Sequence, residues 1–185
     1  MKRLLILSAC LMLSACGSSA DIACDQQYWD GTVGTCLPDG WDIIDQETLR
    51  QRGVPEETIV AFQMTEAVSG QFPTVAITKE PLPNTVTSED YSAASIRSVE
   101  VMEGYTLVDT QQTTVEGESA SMHIFTAQPL VGEPRRRFYQ VSVVRNDIGF
   151  TLTAVSPVSI DKDTEDAMML ILNNVVFTES MKEEK

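Results

Sequence analysis

The chain holds one histidine, His123, and any acid–base chemistry would start there. It lies in an alternating segment, residues 119–127, where strand geometry puts Ser119, Ser121, His123 and Phe125 on one face. Ser121 and His123 have the residue types of a nucleophile and its base. Neighbours two apart on a strand project in parallel, however, and no Gly-x-Ser-x-Gly elbow or oxyanion loop accompanies them. The expectation is a sheet-face histidine with a structural or solvent role, and no catalytic residue. The run from Asp161 to Asp166 has the acid density of a calcium loop. It lacks the glycine at position six and the glutamate at position twelve, which is Leu172. It reads instead as an acidic helix start that complements the helix dipole. Phosphate-cradling and dinucleotide signatures are absent from the sequence. No metal site, no cofactor and no enzyme activity are therefore expected.

The cysteines carry the strongest signal. Met1-Lys2-Arg3 is a short basic segment, and residues 4–13 are an apolar stretch too short to span a bilayer. The stretch runs into Leu13-Ser14-Ala15-Cys16, which resembles the bacterial lipobox: an aliphatic residue, two small residues and cysteine. The resemblance implies a signal peptide over residues 1–15 and acylation of the Cys16 thiol. Leu7-Ser8-Ala9-Cys10 is a similar tetrapeptide, but its apolar core would span only residues 4–7. Gly17 follows, not Asp, which by resemblance to sorted lipoproteins favours the outer membrane, facing the periplasm. Cys24 and Cys36 are then the two remaining thiols in an oxidising compartment, and a disulfide between them is expected. A metal reading with Asp25 or Asp30 lacks a second pair of ligands.

Charge narrows the partners. The 185 residues carry 27 acidic and 13 basic side chains, a formal charge of −14. Such a balance opposes nucleic-acid binding, which needs a basic footprint. It also opposes electrostatic attraction to anionic lipid, so attachment falls to acyl chains. Arg135-Arg136-Arg137 breaks the acidic pattern. Alternation places Arg135 and Arg137 with Tyr139, and Arg136 with Phe138. Guanidiniums beside aromatic rings suit an interface, so Arg135, Arg136, Arg137 and Tyr139 form the candidate partner-binding edge. The competing reading is a gatekeeper that keeps a sheet edge from aggregating.

With 43% apolar residues the chain can build a core, and its length suits one domain. Strands are predicted at 41–44, 58–67 and 72–78, the last two forming a hairpin around Ser69-Gly70. A helical turn over 46–52 stops at Gly53 and Pro55, and Pro81 and Pro83 break the sheet. Thr87 to Asp90 has capping-box spacing, opening a helix whose face is read as Ala93, Ile96, Val99 and Met102 and which ends at Gly104. Strands follow at 105–109, 119–127, 136–145 and 150–155, then a helix over 161–173 and a short strand at 175–177. Residues 16–36 are read as tether and disulfide loop, 37–178 as the globular domain, and 179–185 as a polar tail.

This order, together with Pro38-Asp39-Gly40-Trp41, Pro73-Thr74-Val75-Ala76-Ile77, Gly104-Tyr105-Thr106-Leu107-Val108 and Phe150-Thr151-Leu152-Thr153-Ala154, resembles the PsbP/Mog-type family. That family includes PsbP proteins, DcrB-like proteins and LpqN-type lipoproteins. The resemblance implies an α+β fold, an α/β/α sandwich around a mainly antiparallel sheet. It also implies a binding or assembly role without catalysis. The expected function is a membrane-anchored envelope module with a protein partner. A structural scaffold is the alternative, and a lipid-handling protein or hydrolase a more distant one. Fold alone does not decide among them.

Overall fold

A computed structural model describes residues 22–177. Cys16, the signal segment and the tail at 179–185 lie outside the described residues. The first two strands, β1 (Gln26–Trp29) and β2 (Gly34–Leu37), form a small antiparallel hairpin. The main sheet contains β3 (Trp41–Asp45), β4 (Thr58–Met64), β5 (Thr74–Pro81), β6 (Thr106–Val115), β7 (Glu118–Ala127), β8 (Arg136–Arg145) and β9 (Ile148–Pro157). Its order is β3-β4-β5-β9-β8-β7-β6, and every pairing is antiparallel. Helices α1 (Gln46–Gln51) and α2 (Ser88–Val99) cover one face, and α3 (Lys162–Asn173) with the β1–β2 hairpin covers the other. The fold is the expected α/β/α sandwich.

Local chemistry explains the elements. Three helices open on an oxygen-bearing N-cap, Asp45, Thr87 and Asp161, each accepting from the backbone amide three residues on. The Thr87 hydroxyl also donates to the Asp90 carboxylate, 2.8 Å away, a second bond between the cap and the first turn. The tight turns between β6 and β7 and between β8 and β9 place both central residues at positive φ: Glu116 and Gly117, then Asn146 and Asp147. That backbone matches the right-handed twist of the strands it joins.

The larger core lies on the α3 face. Met168, Ile171 and Leu172 pack against Val75, Ile77, Val141 and Leu152, all nearly inaccessible. Full burial of each such side chain contributes about 1.5–3 kcal/mol.

Five expectations are corrected by this packing. The segment read as a loop ahead of residue 37 belongs to the folded body. Val33, Thr35 and Leu37 are fully buried, and the Thr35 hydroxyl donates to the Ile171 carbonyl, 2.6 Å away. The Cys24–Cys36 disulfide, with Cα atoms 5.6 Å apart, ties the chain entry to this hairpin; closing so short a loop is worth about 2–3 kcal/mol. On α2 the buried positions are Tyr91, Ser92 and Ile96, with Ser95 and Val99 half-buried, while Ala93 is exposed. Burial therefore steps by four residues, and the helix stops at Val99, with Gly104 ending the turn beyond it. Strand β6 reaches Val115, twice the expected length, and residues 175–177 contribute only the isolated bridge between Val176 and Gly34.

Buried tyrosines set an alkaline limit on stability. Burial, reinforced by the Glu165 carboxylate that accepts its proton at 2.6 Å, pushes the Tyr139 phenol up to about 12. Burial likewise pushes Tyr91 up to about 12, although its contact with Thr151 acts the other way. An unfolded tyrosine releases its proton near pH 10. Above that pH the unfolded chain binds fewer protons than the folded one, so stability is full below pH 10 and falls as pH rises towards 12. Denaturant midpoints measured from pH 8 upward should be flat and then decline, and Tyr139→Phe should shallow the decline.

Candidate functional site

The crossover from β5 to β6 creates the open part of the molecule. It carries the chain from the centre of the sheet to its far edge, over β9, β8 and β7, and from one sheet end to the other. One twelve-residue helix cannot cover that area, so a cleft remains on each side of α2.

The first cleft, about 490 Å³, lies between α2 and strands β5, β9 and β8. Its floor is polar where a sheet face is usually aliphatic: Thr78, Gln140, Thr151 and Thr153. Gln140 donates to the Ser95 hydroxyl at 2.6 Å, and the Tyr91 hydroxyl donates to Glu80 at 2.8 Å. One end is apolar, formed by Val99, Met102 and the Phe125 and Phe138 rings, which stack with centroids 4.9 Å apart. Tyr91 itself packs closely on Gly149, where a Cβ would come within 2.4 Å of its ring.

The second cleft, about 610 Å³, lies between α2 and strands β6 and β7. Ser119, Ser121 and His123 share its wall, as the alternation predicts, facing Ser92 and Arg97 of the helix. The His123 Nδ1 atom is 3.5 Å from the Thr110 hydroxyl. The Ser121 hydroxyl accepts from Gln112 at 3.3 Å. No hydrogen bond joins Ser121 to His123 among the described residues. Burial holds the imidazole below its ordinary value, which the Glu100 carboxylate partly offsets. These groups can bind polar ligands through hydroxyl, amide and ring-nitrogen contacts. They do not form a nucleophile–base pair.

The candidate edge at 135–139 does not form one surface. Tyr139 is 1% exposed, because α3 covers that face of β8, and it belongs to the core. Arg137 lies beside the Tyr139 hydroxyl on the same face. Arg136 is half-exposed and pairs with Glu133 at 3.5 Å, a contact worth about 0–1 kcal/mol. Arg135 donates to the Gly104 carbonyl and, at 2.7 Å, to the Thr106 hydroxyl, bracing the loop that leads into β6. Asp161 accepts from the Thr164 amide at 2.8 Å as a helix cap, and no cluster of three metal-ligating side chains occurs among the described residues.

No family model matches the chain, and no curated protein matches it in sequence. Solved structures do. The cyanobacterial PsbP protein CyanoP from Synechocystis sp. PCC 6803 superposes with a TM-score of 0.57 at 14% identity, over 90% of this chain and 99% of that one. LpqN of Mycobacterium tuberculosis, described as involved in cell envelope biogenesis, gives 0.54 at 16% identity, over 78% of this chain and 82% of its own. A Bacteroides thetaiotaomicron protein gives 0.53 at 7% identity, with half of that chain covered. The likeness is one of fold. It agrees with the architecture read from residues 37–177, and the polar floor of the first cleft is what the sequence reading missed. Its signal was present as Thr78, Gln140, Thr151 and Thr153 inside otherwise apolar strands.

Proposed function

We propose that this protein is a lipid-anchored, non-catalytic binding or assembly module of the bacterial envelope, held on the periplasmic side of the outer membrane through acylated Cys16. The observation that carries the reading is the placement of Leu13-Ser14-Ala15-Cys16 at the end of an apolar segment, six residues ahead of the folded body. The disulfide-bonded Cys24 and Cys36 support an exported location, and the envelope role given for LpqN is compatible with it. Among the described residues no helix is long and apolar enough to cross a membrane.

The two clefts beside α2 are the binding surface of this module, and an envelope protein is its partner. Ser98→Trp and Ser121→Trp each place a large ring in one cleft, at positions that are not in the core. Crosslinking in intact cells followed by capture of the anchored protein should yield a small, specific partner set. One of the two variants should lose it while melting at the wild-type temperature. A broad set of weak partners that neither variant changes would favour a scaffold instead.

A further inference from the structure

Seven large apolar side chains are exposed among the described residues: Phe72, Val101, Leu107, Val108, Leu130, Val131 and Val158. All seven lie at one end of the sheet. Phe72 precedes the start of β5, and Val158 follows the last residue of β9. Val101 sits between α2 and β6, and Leu107 and Val108 open β6. Leu130 and Val131 are in the connection from β7 to β8, where Val131 is 89% exposed. The register places these strand ends together: Trp41 opposite Met64, Thr74 opposite Val155, Arg136 opposite both Pro157 and Ala127, and Thr106 opposite Thr126. The other end carries the two tight turns and Phe177, whose amide donates to Glu116 at 2.7 Å, and it exposes no large apolar side chain among the described residues.

The chain enters at the apolar end, where Ile22 packs on the core and lines a pocket together with Trp41 and Met64. Cys16 is six residues earlier, and six residues span at most about 20 Å. An acyl chain on Cys16 therefore keeps Ile22, and with it the β3 side of this end of the sheet, within about 20 Å of the bilayer. Scattered apolar residues on a surface need no explanation, but their collection at the end nearest a membrane anchor does. We propose that this end rests on the lipid surface, with Val101, Leu130, Val131 and Val158 entering the interface; the inference rests on acylation of Cys16. Glu103, Glu133, Asp39 and Asp161 occupy the same end, so the contact depends on its apolar tips and needs no anionic lipid. The clefts beside α2 lie on a side face of the sandwich and stay open to the periplasm in this orientation.

The test uses the full protein, extracted from membranes and reconstituted into phosphatidylcholine vesicles whose acyl chains are brominated. Val131→Trp places a fluorophore at the apolar end, and Asn84→Trp places one in the loop after β5 at the other. Most of the fluorescence added by Val131→Trp should be lost to bromine, and that added by Asn84→Trp should be retained. Equal fluorescence from both variants, in protein that carries labelled palmitate and floats with the vesicles, overturns the orientation and leaves the anchor standing. Protein without palmitate overturns the anchor: if it still floats and Val131→Trp is still quenched, the lipid contact stands alone, and if it does not float, both are overturned.

Discussion

Gly149→Ala should lower the melting temperature by about 4–8 °C, although the same change elsewhere in a strand usually stabilises. The ordinary gain from glycine to alanine is about 0.4–1 kcal/mol, through the unfolded chain. At residue 149 the backbone suits any side chain, and space decides the outcome. An added Cβ would lie 2.4 Å from the Tyr91 Cζ atom and 2.7 Å from the hydroxyl oxygen. Tyr91 cannot move aside freely, because its hydroxyl donates to Glu80 and touches Thr151 and the residue is 7% exposed. Overpacking costs about 1–3 kcal/mol, and a Cβ this close to a ring held in place lies at the upper end; less the ordinary gain, the net loss is near 2 kcal/mol. For a domain of this size each kcal/mol is about 2–4 °C. Thermal unfolding followed by circular dichroism measures the shift. In a Tyr91→Leu background the ring is gone, and Gly149→Ala should become neutral or stabilising; that reversal isolates the contact as the cause. If Gly149→Ala raises the melting temperature of the otherwise wild-type chain, the packing of α2 on β9 described above is incorrect.

The contact also matters for the proposed role. Tyr91 lines the first cleft, and Gly149 gives its ring the space to pack against β9. Loss of Tyr91 packing should therefore disturb the cleft as well as the fold.

Local chemistry was the legible part of the sequence. The ends of β8 coincide with the predicted 136–145 because alternation stops at the Asn146-Asp147 turn. The start of α3 was readable because Asp161 is both acidic and a cap. The disulfide followed from two thiols and a compartment. Features that depend on distant packing were not legible. Alternation grouped Arg135, Arg137 and Tyr139 on one face; Arg137 and Tyr139 do share a face of β8, whereas Arg135 precedes the strand and bonds to the loop before β6. Whether that face meets solvent depends on α3, more than twenty residues later, and α3 covers Tyr139. Strand β6 escaped its full length because an exposed edge strand of Thr, Gln and Asp lacks the apolar alternation that marks half-buried strands. The β1–β2 hairpin reads as a loop because its strands have four residues each, and their burial against α3 is not a local property. The clefts arise from the path of a crossover, which periodicity does not report.

The proposed attachment through Cys16 has an all-or-none expected effect. Acylation at Leu13-Ser14-Ala15-Cys16 requires that thiol, since a serine hydroxyl does not form the thioether. Several acyl chains hold a protein stably where one chain gives marginal, reversible binding. The strongly acidic body would add little attraction of its own. The deciding measurement is labelling of growing cells with palmitate, followed by capture of the wild type, Cys10→Ser and Cys16→Ser and separation of membrane from soluble fractions. Wild type and Cys10→Ser should carry label and sediment with membranes, while Cys16→Ser should carry none and keep its signal segment uncleaved by the lipoprotein pathway. Palmitate entering Cys16→Ser, or failing to enter the wild type, would contradict the account.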